Sequence, residues 1–378
     1  MSVKKTILIT NVSMINAFGG EERFTDNLVR NLSKMYNVVY VGNLYKEDGS
    51  FVSKYKKAIP AFRSDWLVNL PRLIKRRPFV KLLRAFPSIK RLFVTRLNLH
   101  VDLVISNSAI DDIALLDQPL FRYGGIIIIP HSPGIRFDGV YPRLLINNHK
   151  FRIVALNKTM SRKLFKKYGA KNVKLINPTV QEKTHDNGGA NSIENADFIK
   201  RRILIVSIGR LEEKQKKLSL AIKAFSKLDR KMDAAFIIAG AGKDHNRYVR
   251  LIRRLNLQNS IRLIGKISEK EKNFLFKMAL IYLQPSAKEN FSVAMVEAMQ
   301  AGAIPIVTRT DSSKDLIKNG RNGFFIEPNP ESIAHKITQI SKMSVQKIRS
   351  LRKNSRNSVK QLTPKNMIKK YIRLIESF

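Results

Sequence analysis

Two glutamates separated by seven residues offer the most specific chemistry in this chain. In Lys288–Ala301 (KENFSVAMVEAMQA), Glu289 follows a β-rich run, and Glu297 falls inside an otherwise apolar helix with Val293, Ala294, Met295, Val296 and Met299 around it. A carboxylate in that setting costs free energy unless hydroxyls or a cation satisfy it. Ser292 is placed to cap the helix, and the amides of Phe291, Ser292 and Val293 at its start would meet an anion such as a phosphate. The same two acids also fit a plainer reading, a partly exposed helix residue and a loop charge. A second group is Gly209-Arg210-Leu211, directly after the strand-like ILIVSI, with Lys214, Lys216 and Lys217 downstream. An arginine and a lysine at the carboxyl end of the first strand of a doubly wound unit stand where a diphosphate is held. A solvated charge run before a helix fits them as well.

Other pieces narrow the chemistry. Gly19-Gly20 follows the first β-rich run, but it is not the G-x-G-x-x-G fingerprint, and no acid ends the next strand to take a ribose. A nicotinamide cofactor is therefore disfavoured. The pair can let backbone approach a ligand or can simply turn the chain. No G-x-x-x-x-G-K-[ST] is present, which excludes P-loop chemistry. His131 ends the run GIIIIP, where a histidine is structural or meets a ligand at a strand end. There is no cysteine, and the six histidines are scattered singly, so thiol nucleophiles, disulfides and a dedicated metal site are not expected.

These residues must be positioned by an α/β scaffold. Short apolar runs read as strands: Thr6–Thr10, Asn37–Gly42, Asp102–Ser106, Gly125–Ile129, Ile153–Leu156 and Val173–Ile176 in the first half. In the second half they are Ile203–Ile208, Ala235–Ala239, Ile261–Ile264, Leu280–Leu283 and Ile304–Val307. Between them, helices are expected at Glu22–Met35, Leu218–Leu228, Asn246–Leu255, Glu269–Met278, Val293–Ala301 and Pro330–Lys342. Such alternation predicts parallel sheets covered on both faces. The polar, glycine-bearing stretch Gln181–Lys200 reads as a linker. The expectation is an N-terminal domain over 1–180, a linker over 181–200 and a C-terminal domain over 201–362, with a cleft between them.

Taken together, these segments resemble retaining nucleotide-sugar glycosyltransferases of the GT-B fold, family 4. The matching pieces, in order, are Gly19-Gly20-Glu21, His131, Asn177-Pro178, Gly209-Arg210-Leu211, Ala239–Gly242, Gly265-Lys266-Ile267, the Glu289/Glu297 pair, Gly302–Pro305 and Asn322-Gly323. The resemblance implies two Rossmann-like domains facing across a cleft. It implies that Arg210 and Lys216 neutralise the donor's diphosphate without a metal, and that Glu297 takes the ribose hydroxyls. Glu289, with the backbone at Asn290–Ser292, would hold sugar hydroxyls, and Gly265-Lys266-Ile267 would edge the base. Gly19, Gly20 and His131 would close on the phosphates and the transferred sugar. With no obvious nucleophile, retention implies a front-side displacement. Thr363–Phe378 would cross back to the N-terminal domain. Asn290 stands where the family has glycine, which crowds the sugar pocket, and Lys216-Lys217 replaces the family's Lys-Gly. The phosphate lysine is one of Lys214, Lys216 and Lys217, with Lys216 preferred on its distance from the following helix.

Charge supplies the last expectation. The chain carries 70 Lys+Arg against 29 Asp+Glu, a net charge of +41, which attracts phosphate-bearing partners. Lys54–Arg96 alone holds 13 basic residues and one acid, Asp65, interleaved with Phe62, Trp66, Phe79, Phe86 and Phe93. That pattern suits an anionic membrane surface and hence a lipid-linked or glycan acceptor; solvated cations over a packed apolar face would give the same pattern. Without a secretory signal or a long apolar span, the expected location is cytoplasmic or peripheral on the membrane. No recognition-helix or RNP motif points to nucleic acid. The rival readings are a same-fold synthase or phosphorylase with a soluble acceptor, or an inactive basic binding protein.

Overall fold

The computed structural model describes residues 4–11, 20–42, 58–60, 98–107, 116, 120–131, 150–179, 198, 203–229 and 231–378. The chain divides into two compact units, Met1–Asn177 with Lys365–Phe378, and Pro178–Pro364. Each is built on a parallel sheet.

In the first unit the strands are β1 (Thr6–Asn11), β2 (Asn37–Gly42), β3 (Ala58–Pro60), β5 (Leu103–Ser106), β7 (Ile126–Ile128), β8 (Phe151–Ala155) and β9 (Val173–Leu175), paired in the order β3-β2-β1-β5-β7-β8-β9. Short β4 (Leu99–Val101) and β6 (Phe121–Tyr123) pair separately. Chain order reverses between β1 and β5, the kind of point where doubly wound sheets open a crevice at the carboxyl ends of their strands. Helix α1 (Gly20–Leu32) begins two residues earlier than its apolar spacing suggests, with Gly20 as its first residue. It also stops short of Met35, where the Ser33 hydroxyl donates back to the Val29 carbonyl at 2.6 Å. Helix α2 (Lys158–Tyr168), capped by Asn157, follows β8.

The second unit orders its strands β12-β11-β10-β13-β14-β15. These are β10 (Ile203–Ile208), β11 (Ala234–Ala239), β12 (Ile261–Leu263), β13 (Ile281–Gln284), β14 (Ile304–Val307) and β15 (Phe324–Phe325). The reversal falls between β10 and β13. Period-two alternation divides each strand between two cores. Ile203 and Ile205 pack with Phe236 and Ile238 on one face, while Leu204 and Val206 pack with Ala235 and Ile237 on the other. The first face is covered by α4 (Leu218–Phe225), α5 (His245–Arg254) and α9 (Pro330–Ser341), the second by α6 (Glu269–Met278) and α7 (Val293–Ala301). The remaining helices are α3 (Glu213–Lys216), α8 (Asp311–Leu316), α10 (Val345–Val359) and α11 (Pro364–Glu376).

Helix α11 belongs to the first unit. Its Met367, Ile368, Tyr371, Leu374 and Ile375 complete the core around Ile7, Phe24 and Leu28, and the Tyr36 hydroxyl donates to Glu376 at 2.5 Å. Among the described residues no helix is long and apolar enough to cross a membrane.

Candidate active site

Strand β10 ends in Gly209-Arg210-Leu211, and this turn is stitched to the neighbouring strand end. The Gly209 amide donates to the Ala239 carbonyl at 3.0 Å, Leu211 to Ala241 at 2.9 Å, and Gly240 to Gly265 at 2.6 Å. A Cβ at Gly240, whose φ is +139°, would collide with the Gly209 carbonyl oxygen; one at Gly242 would collide with that of Leu211. The two glycines therefore let the loops after β10, β11 and β12 lie against each other, which fixes where Arg210 leaves the backbone. Gly265 and the exposed Lys266 continue that edge, and Ile267 packs on the apolar cluster beneath.

Helix α3 then turns Lys216 back over the strand end. A buried acid that the sequence reading did not single out holds this turn. Glu213 accepts hydrogen bonds from the Ser219 amide at 3.1 Å, from the Ser219 hydroxyl and from the Tyr248 hydroxyl at 3.0 Å, while its own amide donates to Asp244 at 2.9 Å. Lys214 points to solvent and Lys217 takes the left-handed conformation that separates α3 from α4, with φ of +52°. Lys216 is the lysine that lines the hollow at this strand end. That hollow, open to solvent, is bordered by Gly209, Arg210 and Lys216 on one side and by Tyr282–Ser286 on the other. It lies between the carboxyl ends of β10 and β13, where the strand order reverses.

Lys216 Nζ meets Glu289 Oε1 at 2.6 Å, with the lysine side chain 20% and the glutamate 7% exposed. The loop that carries Glu289 is fixed by hydrogen bonds. The Ser312 amide donates to the Glu289 carbonyl at 3.3 Å, and the Ala287 amide to the Gln215 carbonyl at 2.8 Å. Ser292 caps α7 as its position suggests, its hydroxyl accepting from the Met295 amide at 3.3 Å and donating to Gln284 at 2.8 Å. Its own amide donates to Ser312 Oγ at 3.0 Å. Of the three amides expected to face an anion, the one on Ser292 is therefore already used within the protein. Below this loop the Tyr282 hydroxyl is held protonated, its pKa raised by burial and by the nearby Glu289 carboxylate.

Glu297 is 9% exposed and does not stand alone in its apolar helix. Lys272 reaches it from α6 at 2.7 Å. The sequence reading missed this lysine, yet a signal was present: Lys272, Leu275 and Phe276 share helical i, i+3, i+4 spacing, which puts the lysine on the buried stripe.

In the first unit, the strand ends at the order reversal carry a polar chain. Asn11 Nδ2 donates to Thr25 Oγ1 at 3.1 Å, Asn107 Nδ2 donates to the same oxygen, and Asn107 Oδ1 accepts from His131 Nε2 at 2.6 Å. Burial pushes the His131 pKa down to about 4, so the ring is a neutral imidazole at physiological pH. A neutral ring offers hydrogen bonding and carries no net charge. Phe24 stacks edge-on to the ring, 5.4 Å between centroids. Gly20 opens α1; Gly19 lies outside the described residues, as do the segment 61–97 and all but one residue of 181–200. No group of three metal-ligating acids or histidines occurs among the described residues.

Residues 191–358 fit the family model "Glycosyl transferases group 1". An uncharacterized glycosyltransferase of Methanocaldococcus jannaschii is 29% identical over 138 residues, 36% of this chain and 35% of that one. The alpha-monoglucosyldiacylglycerol synthase of Acholeplasma laidlawii is 29% identical over 147 residues, 38% and 35% of the two chains. The aligned region thus spans about a third of the length of these curated relatives. Solved structures match over the full chain. HepE of Anabaena, in complex with UDP and glucose, superposes with a TM-score of 0.69 at 17% identity, covering 99% of this chain and 100% of that one. A glycosyltransferase from Rickettsia africae gives 0.70 at 18%, covering 99% and 98%. The fold is GT-B, two parallel-sheet α/β units.

Proposed function

We propose that this chain is a retaining, metal-independent glycosyltransferase that moves a sugar from a nucleotide-diphosphate sugar to a hydroxyl acceptor. The observation that carries the reading is the Lys216–Glu289 ion pair beside Arg210 at the strand-order reversal. A cation and a carboxylate 2.6 Å apart suit a ligand whose anionic phosphate adjoins a ring of hydroxyls. The match of residues 191–358 to a glycosyltransferase family, and the UDP and glucose held by a protein of the same fold, support it.

In this reading Arg210 and Lys216 neutralise the charge that develops on the diphosphate as it leaves, the office a divalent ion serves elsewhere. Glu289 holds sugar hydroxyls, Glu297 accepts from the ribose hydroxyls, and Gly265-Lys266-Ile267 edges the base. The acceptor oxygen bonds to the anomeric carbon on the face from which the diphosphate departs. The carbon–oxygen bond to the β-phosphate breaks with its electron pair, and the acceptor proton passes to the departing phosphate. His131, Gly19 and Gly20 act on the phosphates and the transferred sugar, His131 as a neutral hydrogen-bonding group. The acceptor is lipid-linked or a glycan precursor. The basic, aromatic segment 54–96 supports that choice, as does the monoglucosyldiacylglycerol product in one relative's name.

A thermal-shift screen of UDP-, GDP-, ADP- and CMP-sugars, each with and without EDTA, tests the reading. The expected result is a rise in melting temperature for one donor, indifferent to EDTA and lost in Glu297→Ala. No rise with any donor, or a rise abolished by EDTA, would contradict it.

A further inference from the structure

Among the described residues Lys272 is the one lysine or arginine that is buried, at 3% exposure, in a chain with 70 such residues. Burying an ammonium group is costly unless a partner repays the lost hydration. Its position explains the burial. Helices α6 and α7 share one apolar cluster, with Leu275 and Phe276 packed beside Met295, Val296 and Met299. Into that cluster the sequence puts one acid on α7, Glu297, and one cation on α6, Lys272, whose Nζ lies 2.7 Å from Glu297 Oε1. The same nitrogen lies 2.6 Å from Glu269 Oε2, three residues back on its own helix. The ammonium is thus tethered to α6 and held against α7.

Helix α6 is also the helix that opens straight after Gly265-Lys266-Ile267. Its first turn is fixed by a capping box, in which the Ser268 amide donates to Glu271 at 2.6 Å and the Glu271 amide donates to the Ser268 hydroxyl at 3.2 Å. The loop proposed to edge the base and the carboxylate proposed to take the ribose therefore sit on two helices joined by one buried ion pair.

We infer that Lys272 is a positioning residue for nucleoside recognition: it holds the Glu297 carboxylate in the orientation that accepts the ribose hydroxyls and ties that carboxylate to the base-edging loop. The inference rests on the ribose role proposed for Glu297. A lysine that merely neutralised a buried acid would affect stability alone. One that orients the carboxylate also sets how strongly a 2′-hydroxyl is read, and the two roles separate in a binding ratio.

The test is calorimetric titration of the full chain with UDP and 2′-deoxy-UDP, repeated with the GDP and ADP pairs so that the base does not decide the outcome. The wild-type chain should bind the ribonucleotide about tenfold more tightly than its deoxy form, the worth of one hydrogen bond to a charged group. Lys272→Met should bring that ratio below about threefold. Lys272→Gln, whose amide can keep one hydrogen bond to Glu297 but loses the charge, should lower the ratio to between the methionine and wild-type values and serves should the methionine variant fail to fold. Lys272→Arg, which keeps the charge, should stay above both. A folded Lys272→Met or Lys272→Gln protein with the wild-type ratio would overturn the inference while leaving the ribose role intact, provided Glu297→Gln lowers the ratio. An unchanged ratio in Glu297→Gln would overturn the ribose role itself, and no binding of any nucleotide to the wild type would overturn both.

Discussion

At the scale of single residues, charge and burial separate the groups that line the hollow from those that hold its walls together. Glu213 and Lys272 are buried and fully engaged with neighbouring side chains, whereas Arg210 is exposed and Lys216 partly so, on the wall of a hollow. His131 shows the opposite balance, a titratable ring kept neutral. Its pKa of about 4 lies below the ordinary 6.5, so between those values the folded chain binds fewer protons than the unfolded one. The stability this contributes is present above pH 6.5 and is lost as pH falls towards 4, on the order of 2 kcal/mol by pH 4.5. Thermal melts should therefore show a larger drop in melting temperature from pH 7 to 4.5 for the wild type than for His131→Gln. Equal drops would mean that the ring is solvated and titrates normally. The glutamate pair, Arg210 and the capping serine were legible from residue type and spacing. Lys272 and Glu213 were not singled out, because each lies in a charged run whose composition looks solvated until the fold turns one member inward.

At the scale of elements, what could be read followed apolar periodicity. Strands β10 and β14 and helices α6 and α7 lie where their apolar runs put them, since a buried parallel strand is a short unbroken apolar run. Helix α10 was not expected. Its sequence VQKIRSLRKNSRNSV buries only Leu351, Ser355 and Val359, and the buried serine satisfies itself by donating to the Ala303 carbonyl at 2.8 Å. A hydroxyl on the core side erases the stripe that would mark the helix. Helix α3 is a single turn within a lysine-rich stretch, too short for any periodicity. The basic segment 54–96 belongs to this scale as well. Its 13 cations should bind anionic lipid at about 1 kcal/mol for each one near the surface. Reversing the charges of Arg72, Lys75, Arg76, Arg77, Lys81 and Arg84 should release the protein from phosphatidylglycerol vesicles in flotation while donor binding persists. Undiminished flotation would assign those cations to solvent.

At the scale of the whole molecule, the two-unit α/β organisation was legible, but the strand order was not. Sequence alternation says that strands are parallel; it does not say which neighbours which, because that depends on how each crossover packs. The order matters, since in both units polar side chains gather where it reverses. Asn107 and Asn11 mark that point in the first unit, Arg210 and Gln284 in the second. The first unit is also closed by α11, from the far end of the chain, so its stability depends on both termini of the sequence.

In the proposed reaction two side-chain cations beside the end of β10, Arg210 and Lys216, drive departure of a nucleoside diphosphate without a metal. The most direct measurement follows nucleoside diphosphate release by the full chain, with EDTA present, from the donor sugar that gives the largest thermal shift. The anomeric configuration of the released or transferred sugar is read by NMR. Release should be insensitive to EDTA with retained configuration, and slowed about 100-fold or more in folded Arg210→Ala and in folded Lys216→Ala, as befits lost charge stabilisation in the transition state. Turnover indifferent to both substitutions, or abolished by EDTA, would contradict it.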